Sequence, residues 1–165
     1  MKRSISSLIP AIPAMLIFSL LFMSMGCKKN SSAPATPTTG IMTASFNATA
    51  FQPSLVVGLD FNNNLTVGGL QLKGGDSVEV LISFEDSSPL NTALNFSTAE
   101  ISYGDTNGTF DFESSNIHSH GSVTITGLDT KNLVVAGAFS GVLYNTGGDS
   151  VVITNGSFNA PYQTN

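Results

Sequence analysis

Two histidines one residue apart are the sharpest candidate for chemistry in this chain. His118 and His120 flank Ser119, and residues two apart in an extended strand face the same side, so both imidazoles could bind one transition-metal ion. Asp111 and Glu113 lie nearby in the sequence as possible third ligands. The alternative is a solvated loop that leads into the next strand. A two-histidine metal site, or a metal-dependent enzyme built on it, is therefore one hypothesis.

Other arrangements that support catalysis are weakly represented. Nucleophilic catalysis needs a base beside the nucleophile, the sequence holds only these two imidazoles, and it contains no Gly-x-Ser-x-Gly motif. Asp111 and Glu113 alternate with Phe110 and Phe112, a pattern that favours a solvated strand face over a pair of glycosidase carboxylates. We therefore predict a protein that is not an enzyme and holds no cofactor.

Residues 60–64 (DFNNN) resemble the start of a calcium-binding loop, with oxygen ligands at alternate positions. Leu65 stands where that loop needs glycine, and Gln71 stands where it needs glutamate. Because asparagine tolerates left-handed backbone, the same residues are typical of a hairpin turn. We interpret them as a hairpin.

The only cysteine, Cys27, lies where an apolar N-terminal segment ends and a polar segment begins. A basic start leads into the mostly apolar residues 8–23, and Gly26 directly precedes the cysteine. This is the layout of a secretory signal peptide. Its end resembles a bacterial lipoprotein signal, which is cleaved before a cysteine that becomes acylated. An uncleaved membrane-spanning anchor is the alternative, although Pro10 and Pro13 interrupt its first half.

These features divide the chain into three parts. Residues 1–26 are the predicted signal peptide. Residues 27–40 are the predicted lipidated cysteine and a flexible tether, which is rich in Ser, Thr, Pro and Ala. Residues 41–165 are predicted to form a single domain, which is long enough to bury a hydrophobic core.

From Ile41 onward the chain alternates apolar and polar residues in short runs separated by Gly, Asn, Asp and Ser. This alternation is typical of β-strands. Residues 78–84 and 122–126 are clear examples, although Leu81 interrupts the polar face of the first. About eight or nine such strands predict an all-β domain, an antiparallel β-sandwich or flattened barrel.

One stretch differs from the alternating strands. Residues 133–145 are largely apolar at both parities, which predicts a central strand that is covered on both sides. Gly137 and Gly141 within it indicate a bend or bulge. Residues 90–99 are the only weak candidate for a helix beyond the tether.

The sequence from Gly121 to Asn159 carries a further pattern. It reads GSVTITGLDTKNLVVAGAFSGVLYN and then SVVITNGSFN. Together with the predicted first strand, residues 41–51, this pattern resembles a family of uncharacterised small lipoproteins from Bacteroidota. The likeness covers most of residues 41–160. It implies an all-β fold and a location in the cell envelope, and it assigns no activity and no catalytic residues.

Two short sequences resemble the acceptor for O-glycosylation of exported proteins in the same bacterial group. They are Asp-Ser-Val at residues 76–78 and again at residues 149–151. Ser77 and Ser150 are therefore predicted modification sites, at junctions between a turn and a strand that would keep both hydroxyls accessible.

The charged residues of the sequence bear on the class of partner and on the side of the membrane. Beyond Gly40 eleven acids oppose two lysines, a balance of −9, which argues against nucleic acid as a partner because phosphate binding needs clustered lysine and arginine. The resemblance implies attachment to the outer membrane through acylated Cys27. Export to the cell surface in this group tends to follow acidic residues just after the cysteine. Lys28 and Lys29 stand there instead, which favours the periplasmic side.

We therefore predict a cell-envelope lipoprotein that acts as a non-catalytic binding or accessory module, with another envelope protein as its partner. Two alternatives stay open. One is a carrier of small apolar ligands with a cavity lined by phenylalanine, since nine phenylalanines follow Cys27. The other is metal binding or metal-dependent catalysis at His118 and His120.

Overall fold

The computed structural model describes residues 39–73, 76–105 and 111–165, and of residues 73 and 76 it describes the backbone alone. Within these ranges every helix or strand assigned is a β-strand, so the predicted all-β class is confirmed. The eleven strands are β1 Ile41–Phe46, β2 Thr49–Phe51, β3 Leu55–Phe61, β4 Asn64–Lys73, β5 Asp76–Glu85, β6 Ala93–Asn95, β7 Ala99–Asp105, β8 Asp111–Glu113, β9 His120–Asp129, β10 Val134–Tyr144 and β11 Ser150–Thr164. The count exceeds the predicted eight or nine because β2, β6 and β8 have only three residues each. The weak helix candidate contains β6 instead.

The strands form two layers that join at two corners. One layer has the order β2-β1-β11-β10-β9-β6 and the other the order β3-β4-β5-β7-β8. The long strand β11 connects them, because it pairs antiparallel with β1 and β10 and then parallel with β3 over residues 162–164. A single residue pair, Tyr144 with Glu113, joins β10 to β8. The domain is thus a β-sandwich that closes like a flattened barrel, and its one parallel pairing departs from the antiparallel prediction.

The core lies between the two layers and is built from the inward residues of each strand. Two ring contacts join the layers: Phe46 stacks on Tyr103 with ring centroids 4.0 Å apart, and Phe84 lies 6.5 Å from Phe158. Phe139 of β10 in turn lies 6.3 Å from Phe158. These phenylalanines pack on other rings, as residues that fill a core do.

Two hairpins turn through residues in the left-handed conformation. Asn47 and Ala48 between β1 and β2 have φ of 48° and 64°, and Asn62 and Asn63 between β3 and β4 have φ of 53° and 61°. Positive φ at both central residues matches the twist of the paired strands. The hairpin interpretation of residues 60–64 is therefore confirmed. Because the turn is two residues long, it leaves no room for a calcium-binding loop of EF-hand length.

Strand β10 is central, as predicted, because it pairs with β9 on one side and β11 on the other. Its register shifts next to Gly137 and Gly141, which confirms the predicted irregularities. The prediction that both of its faces are covered is wrong, since Ala138 and Ser140 are exposed. Small side chains make a strand look apolar at both parities, yet they bury little area and tolerate the solvent side.

Candidate binding surface

The outer face of the five-stranded layer combines apolar side chains with acids. Side chains alternate along a strand, so the residues between the buried ones on β3, β4, β5, β7 and β8 point outward. The aliphatic residues on this surface are Leu55, Val57, Leu59, Leu70, Leu72 and Leu81. The acidic residues on it are Glu79, Glu100, Asp111 and Glu113. We call this surface the apolar–acidic face.

Strand register separates the two chemistries across this face. One row of paired residues runs across all five strands, in the order Leu55, Leu70, Glu79, Gly104 and Asp111. The next row has the order Val57, Gly68, Leu81, Ser102 and Glu113. The apolar side chains therefore lie on β3 and β4 and the acids on β7 and β8, with β5 as the boundary.

The apolar part of the face is only partly screened from solvent. Most of its aliphatic residues are half-buried. At its ends Leu72 is 69% exposed and Phe61 is 51% exposed. A contiguous apolar patch of this kind, bordered by charge, is characteristic of interaction surfaces.

Glu79 lies at the boundary between the two parts. It is only 8% exposed, and its Oε1 atom has no hydrogen-bond partner among the described residues. Its cross-strand neighbours are Leu70 and Gly104, neither of which offers a side-chain donor. Burial raises the pKa of Glu79 above its ordinary value, because loss of water disfavours the charged carboxylate. Glu79 therefore reduces the stability of the isolated domain.

The acidic part of the face concentrates negative charge. The pKa of Asp111 is raised, mainly by burial. The negative charges of Glu113 and then Asp105 raise it further. Glu113 lies two residues from Asp111 on β8 and is exposed. Mutual repulsion of these carboxylates is relieved when a cation approaches them.

The outer face of the six-stranded layer has a different character. One row of paired residues across it consists of Thr43, Ser157, Ala138, Thr124 and Ala93. The hydroxyls of Thr43 and Ser157 lie 3.1 Å apart and hydrogen-bond to each other. The side chains along that row are small and uncharged. The row therefore differs in chemistry from the rows of the apolar–acidic face.

The histidines do not lie side by side on one strand. His118 is in the turn after β8, and His120 is the first residue of β9, so the extended backbone that we expected holds only from His120 onward. The Nδ1 atom of His120 lies 3.1 Å from the carbonyl oxygen of His118. In the described ranges, no group of three or more metal-ligating side chains is found. Metal binding by this pair stays a prediction.

Two surface depressions bear on the ligand-carrier alternative. One of about 420 Å³ lies at the β3–β4 turn and is lined by Asn62, Asn63, Asn64, Glu85, Asp86 and Ser87. Another of about 380 Å³ lies beside His120 and is lined mainly by serine and asparagine, with Phe96 and Ile117. The first is lined only by polar and charged residues, and the second mixes serine and asparagine with Phe96 and Ile117. A carrier cavity lined by phenylalanine stays a prediction.

The predicted modification sites lie in different surroundings. Ser150 opens β11 and is exposed, whereas Ser77 lies within β5 and is half-buried. Ser150 is the more accessible hydroxyl, and O-glycosylation at either position stays a prediction. Cys27 and the signal sequence lie outside the described residues. No helix in the described ranges is long and apolar enough to cross a membrane.

Searches against protein-family models, curated proteins and solved structures find no match to this chain.

Sequence reasoning did not predict the apolar–acidic face. One signal was visible, because Leu81 breaks the polar alternation of β5, and β3 is apolar at Leu55, Val56 and Val57 alike. What the sequence could not show is the register that places Leu81 beside Gly68. Residues brought together by pairing between strands are not identified by the pattern within one strand.

Substitution of Glu79 by glutamine is expected to raise the free energy of unfolding at neutral pH by about 1 kcal/mol, the low end of the cost of an unsatisfied buried polar group. Because the pKa of Glu79 is raised in the folded state, the folded protein binds more protons than the unfolded one between the two pKa values. Wild-type stability therefore falls as the pH rises through that window. Glutamine does not titrate, so the gain from Glu79→Gln should shrink at acidic pH.

Denaturant unfolding at about pH 4 and about pH 7 measures this effect. Glu100→Gln is the matched control, because it removes the same charge from an exposed position on the same face. Equal gains for Glu79→Gln at both pH values would show that burial of the Glu79 charge is not the cause.

Proposed function

We propose that this protein is a lipid-anchored cell-envelope protein on the periplasmic side of the outer membrane, whose domain binds another envelope protein without catalysing a reaction. The observation that carries the proposal is the difference between the two outer faces of the sandwich. One face carries only Ser, Thr and Ala along the row from Thr43 to Ala93, and the other is the apolar–acidic face. The second combines a row of neighbouring apolar side chains with a border of acids, the usual composition of a binding surface.

The path of the chain into the domain supports this arrangement. The Oγ1 atom of Thr39 accepts a hydrogen bond from the Val56 N–H at 2.9 Å, and the Gly40 N–H donates to the Val56 carbonyl at 2.8 Å. Val56 belongs to β3, whose outward residues Leu55 and Val57 contribute to the apolar–acidic face. A flexible tether from Cys27 to this point, as the sequence predicts, would span about 20 Å on average. The domain would then stay within reach of other proteins held in the same membrane.

Binding through a face fits the structure better than addition of a strand at an edge. Strand addition needs a long unpaired edge that can template a partner. The strands at the ends of the six-stranded layer, β2 and β6, have three residues each. Such short edges offer few backbone hydrogen bonds to an added strand.

Purification of the full-length protein from its own membranes in mild detergent tests the proposal. We expect a co-purifying protein in stoichiometric amount, and we expect its recovery to fall at least about tenfold in a Leu72→Ser/Phe61→Ser variant, a loss of about 1.4 kcal/mol or more in binding. Both residues are exposed on the apolar–acidic face, so their replacement should spare the fold.

A matched control removes two exposed apolar residues from the other layer. Ile41 is 71% exposed and Val152 is 44% exposed, and Ile41→Ser/Val152→Ser should leave recovery unchanged. Equal recovery from the wild type and from Leu72→Ser/Phe61→Ser would contradict the proposed binding surface.

A further inference from the structure

The acids on the apolar–acidic face are not paired with a cation from any described side chain. Glu79, Glu100, Asp111 and Glu113 all lie on it, on three neighbouring strands. In the part of the chain whose side chains the structure describes, the one lysine or arginine is Lys131, in the turn between β9 and β10 on the other layer. Apart from Lys131, no described side chain is therefore a lysine or arginine that could neutralise this face.

Glu79 gives an independent indication of a missing partner. Its side chain is more than nine-tenths buried, and Oε1 lacks a hydrogen bond. Buried carboxylates in folded proteins are normally paired or hydrogen-bonded. Its cross-strand neighbours, the aliphatic Leu70 and the bare backbone of Gly104, supply no side-chain donor to it.

From these observations we infer the chemistry of the partner, an inference that rests on the proposed function. The partner presents a polypeptide surface in which lysine or arginine side chains lie beside apolar ones. Its apolar residues pack on the β3–β4 side of the apolar–acidic face, and its cations pair with Glu79 and the acids of β7 and β8. Charge complementarity of this kind fixes orientation and excludes competing partners.

Two other occupants fit the face less well. A second copy of the domain would bring the same acids against each other, because the face carries no described cation, and like charges in contact oppose association. A lipid surface would accept Leu72 and Phe61, but it would place Glu79 and Asp111 against headgroups or hydrocarbon, where carboxylates are unfavourable. A basic and apolar polypeptide satisfies both parts of the face.

Photo-cross-linking in intact cells tests this chemistry. The full-length protein carries p-benzoylphenylalanine at position 72, and the yield and peptide sequence of the adduct are measured by mass spectrometry. We expect an adduct with a peptide that contains lysine or arginine beside apolar residues. We expect its yield to fall at least about tenfold with Glu113→Lys, and to fall also with Glu79→Gln, which retains the side-chain shape.

A double substitution on the other layer, Thr126→Lys/Thr154→Lys, is the charge-matched control. Both residues are exposed there, and the change in net charge equals that of Glu113→Lys. The control should leave the yield unchanged, and melting temperatures of all variants verify that they fold.

The possible outcomes distinguish failure of the inferred partner chemistry from failure of the proposed function. The inferred chemistry would be overturned by an adduct that persists with Glu113→Lys or by one that contains no basic residue. It would also be overturned by an adduct with lipid or with a second copy of the chain. Each of these results would still show that the apolar–acidic face binds another molecule. The absence of any adduct from position 72 in the parent protein would overturn the inference together with the proposed function.

Discussion

Replacement of Cys27 by alanine is expected to abolish acylation completely and to prevent release of the mature protein from its signal peptide. A single acyl chain binds a membrane only reversibly, and each buried CH₂ contributes about 0.8 kcal/mol. A lipoprotein cysteine carries two or three chains, so its anchor is effectively permanent. Metabolic labelling with palmitate, followed by mass spectrometry of the N-terminal peptide, measures both the acylation and the cleavage.

The control is Ser24→Ala, which changes a nearby polar residue and leaves the cysteine in place. It should keep the label. An unlabelled wild-type protein that retains residues 1–26 would contradict the lipoprotein prediction and establish the uncleaved anchor instead.

Gly156→Ala is expected to destabilise the domain by about 3 kcal/mol, the upper end of the usual cost of overpacking. A Cβ atom at Gly156 would lie 2.7 Å from two ring atoms of Phe139 and closer still to the Phe139 carbonyl oxygen. Phe139 is buried in β10, and its carbonyl cannot move without disturbing the pairing of β10 with β11. Gly156 follows Asn155, which has φ of 54° and marks the irregularity where β11 changes register.

Gly127→Ala provides the comparison within the same domain. The nearest atom to a Cβ at Gly127 is the Cβ of Ala136 at 3.9 Å, an ordinary van der Waals contact. Its effect on stability should stay within about 0.5 kcal/mol. Urea unfolding of both variants checks the prediction, and equal stability of the two would show that β11 has more room at Gly156 than the structure gives it.

Patterns within a short stretch of sequence predicted the strands and turns that depend only on neighbouring residues. Alternation in residues 78–84 and 122–126 corresponds to β5 and β9, and asparagine at positions 62 and 63 corresponds to a turn that needs left-handed backbone. The irregularities next to Gly137 and Gly141 were also visible. The three-residue strands β2, β6 and β8 were not, because so few residues carry too little periodicity to distinguish a strand from a loop.

Features that depend on distant residues escaped prediction. The parallel pairing of β11 with β3 joins Tyr162 to Gly58, and no pattern within either strand specifies it. The burial of Glu79 has the same origin, since its neighbours Leu70 and Gly104 belong to other strands. A glutamate in an alternating strand is normally solvated, and only the assembled sheet shows that this one is not.

We propose that these features work together. The acylated cysteine would hold the domain at the membrane, the chain would enter it at β3, and the adjoining apolar–acidic face would receive a basic partner. The rest of the sandwich would serve as a scaffold for this face. Rigid strands position the face well, because side chains on a paired sheet are held by their neighbours.

The most direct test of this account compares cross-links from two positions in the same cells. Position 72 lies on the apolar–acidic face, and position 152 lies on the outer face of the other layer, with both side chains exposed. We expect a discrete adduct with one envelope protein from position 72 and none from position 152. The same adduct from both positions, or an adduct from position 152 alone, would contradict it.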